Sequence, residues 1–302
     1  MMKKNIETNP EFASEVVLSI PYCYYLHQRG QLGKVTICNG MKPFYYFADN
    51  VVEGFSQRSL DNPTALKDIP NKWLHHSHGV DGVIDYTEWE TPPYKEVYRT
   101  DIFDDIKPFV IVNNIFNAPW LENGCLDIKS LYDIFTYLTE SGYKVVYKRP
   151  ENKEFILDQN EIMTPSSDIT ADVEGIGVIT DYELCDYFEN VININKLWKD
   201  TDLDYSTLNL NLFAETEGFI TTSGAGSQLC AYFGKPIVMH VTRGREVERP
   251  GYLTHPDCFY KKLSNAPLHL IYDDHKKWNG NPSNRKYDEL NQVVKKVFGE
   301  KK

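Results

Sequence analysis

No stretch of this sequence approaches the roughly 20 apolar residues that a membrane-spanning helix needs, so no integral membrane segment is expected. It also lacks any cluster of Lys and Arg that could grip nucleic acid. Acidic residues number 43 against 32 basic ones, a formal net charge of −11. Lys295-Lys296 with Lys301-Lys302 read as a polar helix face or a frayed end. A polyanionic partner is excluded on that ground. A small anionic ligand is not, because backbone N–H groups and one or two Arg suffice for it. Cysteine is scarce and scattered: six, at 23, 38, 125, 185, 230 and 258, without a CxxC pair. Several lie inside apolar runs, as in Leu229-Cys230-Ala231, which fits buried free thiols in a reducing compartment rather than a disulfide framework. The opening MMKKNIETNPEF has two Lys but no apolar run after them, so no secretory leader is expected, and the expected location is cytoplasmic.

Familiar catalytic signatures are missing as well. There is no GxSxG elbow, no HExxH and no Gly-Lys-Ser/Thr of a P-loop. His75-His76-Ser77-His78 has no Cys or second ligand pair near it and reads as a solvated loop, so no metal site is expected. Asp104-Asp105 and Asp273-Asp274 read as loop or cap residues. What the chain does have is an ordinary globular balance, 41% hydrophobic and 25% charged, over a length that favours two domains.

The pattern predicts an α/β protein with Rossmann-like parallel sheets. In a first unit, residues 1–106, the run 15–20 reads as a strand or a short buried helix. Two β-like runs follow at 34–38 and 43–48 (PFYYFA), and 56–93 reads as mostly loop. The second unit, 107–302, is more legible. Apolar runs at 108–112 (PFVIV), 144–147 (KVVY), 176–180 (IGVIT), 218–222 (GFITT) and 236–241 (PIVMHV) read as strands of one parallel sheet. Helical spacing at 126–141, 182–188, 208–216 and 227–233 supplies the crossovers, and 286–298 a closing helix. Ligands of such sheets bind at the carboxyl ends of the strands. That rule turns the pattern into candidate residues.

The sharpest of them lie in 221–236, TTSGAGSQLCAYFGKP. A strand runs into Ser223-Gly224-Ala225-Gly226-Ser227, and Ser227 with Gln228 opens a helix. The two Gly permit close backbone approach, and free amides at the helix start suit an anion such as a phosphate. With Leu229 where a third Gly would stand, the turn is not a dinucleotide fingerprint. Arg149 follows the strand KVVY and is a candidate to neutralise a phosphate, or else pairs with a neighbouring acid. Asn113 and Asn114 end the first strand of this unit and could donate to a sugar or phosphate, or simply make a turn. Arg243 and Glu246 belong to a charged loop after the last strand. Arg243 would meet phosphate and Glu246 a sugar or ribose hydroxyl, unless the loop is a self-compensating charge cluster. In the first unit, His27 and Asp49 are the candidate general bases. His240, inside a strand, reads as a satisfied core histidine.

The late strand, small-residue turn, short helix and FGKPIVM resemble the C-terminal Rossmann-like half of GT-B glycosyltransferases, over residues 108 to about 245. The resemblance implies a two-lobed GT-B-like architecture with a reduced N-terminal lobe on the acceptor side. It further implies a metal-independent transfer of sugar from a nucleotide-diphosphate donor to a glycan or other hydroxyl acceptor, as in polysaccharide biosynthesis, with no cofactor. By position, Ser223, Gly224, Ala225, Gly226, Ser227 and Gln228 would then face the donor. Other expectations are a nucleotide-sugar epimerase or hydrolase on the same fold, and a non-catalytic sugar- or nucleotide-binding protein. The sequence leaves the oligomeric state open.

Overall fold

The computed structural model describes residues 3–59, 67–69, 88–114, 125–149, 169–241, 253, 258–273 and 287–299. The chain opens with β1 (Lys4–Glu7), and a continuous helical stretch follows: α1 (Phe12–Ser14), a π-helical turn (Glu15–Ser19) and α2 (Ile20–Gln28). Pro21 accounts for the π turn. It brings no N–H, so the ladder widens just before it, and Ile20 N–H reaches Glu15 O five residues back. Of the two readings open for 15–20, the helical one forms, with all of Glu15–Ser19 buried.

Strands β2 (Leu32–Cys38) and β3 (Val51–Phe55) complete a parallel sheet of order β1-β2-β3. The run PFYYFA, expected as a strand, instead begins with a 3-10 turn, Lys42–Tyr45, that buries Phe44 and Tyr45. Pro43 has no N–H to give a sheet ladder. A short helix, α3 (Tyr94–Val97), and a 3-10 turn, Asp104–Ile106, lead out of this unit.

The second sheet begins with β4 (Phe109–Asn113), then α4 (Ile128–Glu140) and β5 (Lys144–Lys148). Asp127 caps α4 by accepting from Ser130 N at 2.7 Å, Ile128, Leu131, Ile134, Phe135 and Leu138 form its buried stripe, and Gly142 ends it at φ +85°. The expected third strand is misplaced in the sequence reading. β7 (Gly177–Thr180) pairs antiparallel with β6 (Thr170–Val173) outside the main sheet. The third strand is β8 (Val191–Asn193), reached through α5 (Asp181–Tyr187). Then come α6 (Ile194–Lys199), α7 (Tyr205–Glu215), β9 (Phe219–Thr222), α8 (Ala225–Cys230), β10 (Ile237–Val241) and β11 (Leu268–Tyr272). A closing helix spans Asp288–Val297.

The order is β11-β10-β9-β4-β5-β8, all parallel. Counted within this sheet the strands run 6-5-4-1-2-3, the arrangement of doubly wound nucleotide-binding folds. One face packs Val110, Val112 and Val145 against α4 and the closing helix. The other, with Phe109, Ile111, Phe219 and Met239, belongs to the same buried cluster as Ile6, Val16 and Val35 of the first unit. A single core therefore runs through both units.

Hydrogen bonds also join the two units. Ser206, at the start of α7, donates to Gly40 O just beyond β2 at 2.6 Å, and Tyr232, just beyond α8, donates to Val16 O at 2.5 Å. The start of α7 lies at the carboxyl edge of the second sheet, because a crossover helix runs back toward the amino edge. Gly40 lies at the carboxyl edge of the first. Among the described residues no helix is long and apolar enough to cross a membrane.

Candidate functional site

Strands β4 and β9 lie side by side at the centre of the second sheet, and their successors in sequence lie on opposite sides, β5 beyond β4 and β10 beyond β9. The crevice outside the carboxyl ends of two such strands is where open α/β sheets bind ligands. Residue register decides what reaches it. Asn113 pairs with Lys148 on one side and Thr221 on the other, so the three side chains share a face. Asn114 and Arg149, one residue further on, take the opposite face.

Asn113 is 1% exposed. Its Nδ2 donates to Thr221 Oγ1 at 3.1 Å, and the Thr221 hydroxyl donates in turn to Thr222 O at 3.0 Å. Asn113 Oδ1 is left buried with no partner, as are Thr222 Oγ1 and Gln228 Oε1. Gly226 makes the arrangement possible: a Cβ there would stand 2.5 Å from Asn113 Nδ2. The close approach foreseen for this Gly is thus to a side chain of β4.

The turn itself is partly closed on its own groups. Gly224 sits at φ 144°, a conformation that L side chains rarely adopt. Its N–H is taken by Ser227 Oγ at 3.2 Å, while Ser227 N and Gln228 N both reach Gly224 O. Ser223 N donates to His240 O at 3.1 Å, and the Ser227 hydroxyl meets that of Tyr260 at 3.0 Å. The amides of Ala225 and Gly226 make no hydrogen bond with a described residue.

Several expected residues stand elsewhere. Arg149 does not face the crevice as a free cation. It is 1% exposed, its Nε and Nη2 are held by Asp181 at 2.5 and 2.9 Å, and its guanidinium lies over the Tyr182 ring. Burial works against that charge, and the touching Asp181 carboxylate outweighs it, so the guanidinium is raised above its ordinary pKa. Asn114 is also committed, with Nδ2 donating to Leu126 O and Tyr147 Oη and Oδ1 accepting from Leu126 N. His27 ends α2 shortly before β2, stacked on Tyr24, and Asp49 lies just before β3, exposed and 3.9 Å from Lys3. Both therefore sit at the amino edge of a parallel sheet, opposite the edge that binds ligands. The run PFYYFA, which as a strand would have carried Asp49 to a carboxyl edge, begins with a 3-10 turn instead. His240 is buried in β10, 3.5 Å from Asp273, as a core histidine. Arg243, Glu246 and His75-His76-Ser77-His78 lie outside the described residues.

Two groups escaped the sequence reading. Lys148 is nine-tenths buried beside Asn113. Burial pushes the Cys230 thiol of α8 up, and the Lys148 charge acts against that rise, which puts this ammonium near α8. The alternation of KVVYK was the available signal, since it sets Lys148 and Arg149 on opposite faces. The other is Glu15, fully buried in the π turn, where it accepts from Tyr45 Oη at 3.0 Å and pairs with Arg58 at 2.5 Å. The π turn and α1 pack on α8, while the carboxylate itself lies against Tyr45 and Arg58 of the first unit.

No protein-family model matches the chain, and no curated protein matches it. Among solved structures it is similar to a glycosyl transferase family 9 protein from Veillonella parvula, with a TM-score of 0.51 and 9% identity over 98% of this chain and 97% of that one. A looser likeness, TM-score 0.39 and 12% identity, links 97% of it to 73% of the E. coli heptosyltransferase WaaC with ADP. The first of these establishes the fold: α/β, with Rossmann-like parallel sheets in a GT-B-like two-lobed arrangement.

Proposed function

We propose that the chain is a glycosyltransferase that moves a sugar from a nucleotide-diphosphate donor to a hydroxyl acceptor. One observation carries the reading: buried polar atoms of Asn113, Thr222 and Gln228 stand without partners around the switch point. An unsatisfied buried polar atom costs about 1–3 kcal/mol, and a bound polar ligand removes that cost. The family of the first structural neighbour favours sugar transfer as the use of this fold.

In this reading the donor lies across the carboxyl ends of β4, β5 and β9. Lys148 and Arg243 meet the diphosphate charge, and the amides at 225 and 226, which bond no described residue, receive a phosphate oxygen. The acceptor oxygen attacks the anomeric carbon while the bond to the phosphate oxygen breaks, and the acceptor proton passes to a base. We assign that base to Glu15 in place of His27 and Asp49, because it is a buried carboxylate carried by the π turn that packs on α8. Glu15→Gln is expected to lower kcat with little change in donor affinity, whereas His27→Ala and Asp49→Ala leave transfer unchanged.

A thermal-shift panel of UDP-, GDP-, ADP- and CMP-sugars tests the donor. A ligand at about 100 times its Kd adds roughly 2.7 kcal/mol of stability, a plainly measurable shift. Silence across the panel removes the donor reading. A shift without transfer or hydrolysis favours a non-catalytic binding protein, a reading supported by the complete burial of Glu15.

A further inference from the structure

The hydrogen-bond chain behind Asn113 fixes which end of its carboxamide is free. A hydroxyl has one proton, and that of Thr221 goes to Thr222 O. Thr221 Oγ1 can then only accept from Asn113, so the amide nitrogen points at Thr221 and the carbonyl oxygen points away from it. That oxygen is buried and unpaired. Gly226 walls the nitrogen side, since any Cβ there would press on Nδ2. Two residues further along the same helix, Gln228 presents a second unpaired carboxamide oxygen.

A lone carbonyl oxygen is the wrong partner for a phosphate, because both are acceptors and the phosphate is an anion. It calls for a donor. We propose that Asn113 is a specificity-determining residue that reads a hydroxyl group of the ligand by accepting a hydrogen bond from it, while phosphate is held elsewhere in the crevice. This rests on the donor-binding reading above and sharpens it: the ligand places a hydroxyl, of either the ribose or the transferred sugar, directly over the end of β4. A site built to bond a hydroxyl leaves a buried group unpaired when that hydroxyl is absent, so it rejects the deoxy analogue.

The test is calorimetric binding of the best nucleotide sugar from the panel to the unaltered protein, followed by its deoxy and deoxyfluoro analogues at each ribose and sugar position. One position is expected to lose about tenfold or more in affinity on deoxygenation. Fluorine, which accepts but cannot donate, is expected to restore none of the loss. Whether the sensitive position is on the ribose or on the sugar identifies the source of the hydroxyl. Asn113→Ala is then expected to abolish that discrimination and to leave the deoxy analogue's own affinity within about threefold. Equal binding of all analogues, rescue by fluorine, or an Asn113→Ala loss spread uniformly over deoxy and parent ligands overturns the assignment while the donor reading stands. If no nucleotide sugar binds at all, the donor reading fails by itself. Free nucleosides and monosaccharides then decide Asn113: weak binding lost in Asn113→Ala retains the hydroxyl reader, and no binding removes it.

Discussion

At the end of β5 two successive cations have opposite uses. Arg149 lies fully sheltered in a fork–fork pair with Asp181, which also accepts from Tyr147 Oη at 2.6 Å. Removing one partner strands the other charge away from water, so Arg149→Ala is expected to cost about 3–5 kcal/mol in urea unfolding. Arg149→Lys should recover little of that loss, because an ammonium cannot reproduce two parallel bonds. Lys148 faces the other way, and Lys148→Ala is expected to weaken nucleoside diphosphate binding by about tenfold, read by titration calorimetry. The sequence offered both residues at one strand end. It could not say that the acid claiming Arg149 stands 32 positions further on, in the first turn of α5. Asn114 was hidden in the same way, its partners being brought together only by the return of the chain at Leu126.

Among the elements, those with a continuous apolar run were legible. β4, β5, β9 and β10 are buried on both faces and read directly as covered strands. The edge strands were not: β8 is three residues long, and β11 is only partly buried over most of its length. β7 was seen as a strand but given the wrong neighbour, since apolar content says nothing about pairing direction. The turn between β9 and α8 was legible because its Gly residues have a backbone reason. Gly224→Ala forces a side chain onto φ 144°, and a loss of about 1–3 kcal/mol is expected in thermal unfolding. Gly142→Ala, at φ +85° with open space around it, should cost less, because that φ lies nearer the left-handed region an L residue can enter.

The whole molecule is held by more than its sheets. We place the boundary between the units at 106 and 107, after the 3-10 turn Asp104–Ile106, yet one of the two buried apolar clusters draws side chains from both units. Thermal unfolding is therefore expected to be one transition reported alike by probes in either unit. Tyr232→Phe, which removes the bond to Val16 O, should lower its midpoint without splitting it, by about 1 kcal/mol. Glu215 ties the connecting segment to α7, accepting from Thr100 N at 2.9 Å and pairing with Lys107 at 2.5 Å. Burial works against its charge, and the Lys107 hydrogen bond with other partners outweighs it, so its pKa is lowered. A depressed carboxyl stabilises the fold above its unfolded pKa, about 4.3, and loses that contribution as pH falls through the folded value. Glu215→Gln is accordingly expected to flatten the drop in melting temperature between about pH 5 and pH 3. The central position of β4 has a consequence for how the chain is made. Its partner on one side, β9, bonds it across 108 residues, Asn113 to Thr221. On a ribosome β4 waits with one flank bare until that late strand emerges, so the sheet closes slowly and late. Chains that stop before β9 carry an apolar strand with an open edge, and they should aggregate rather than persist as a soluble fragment.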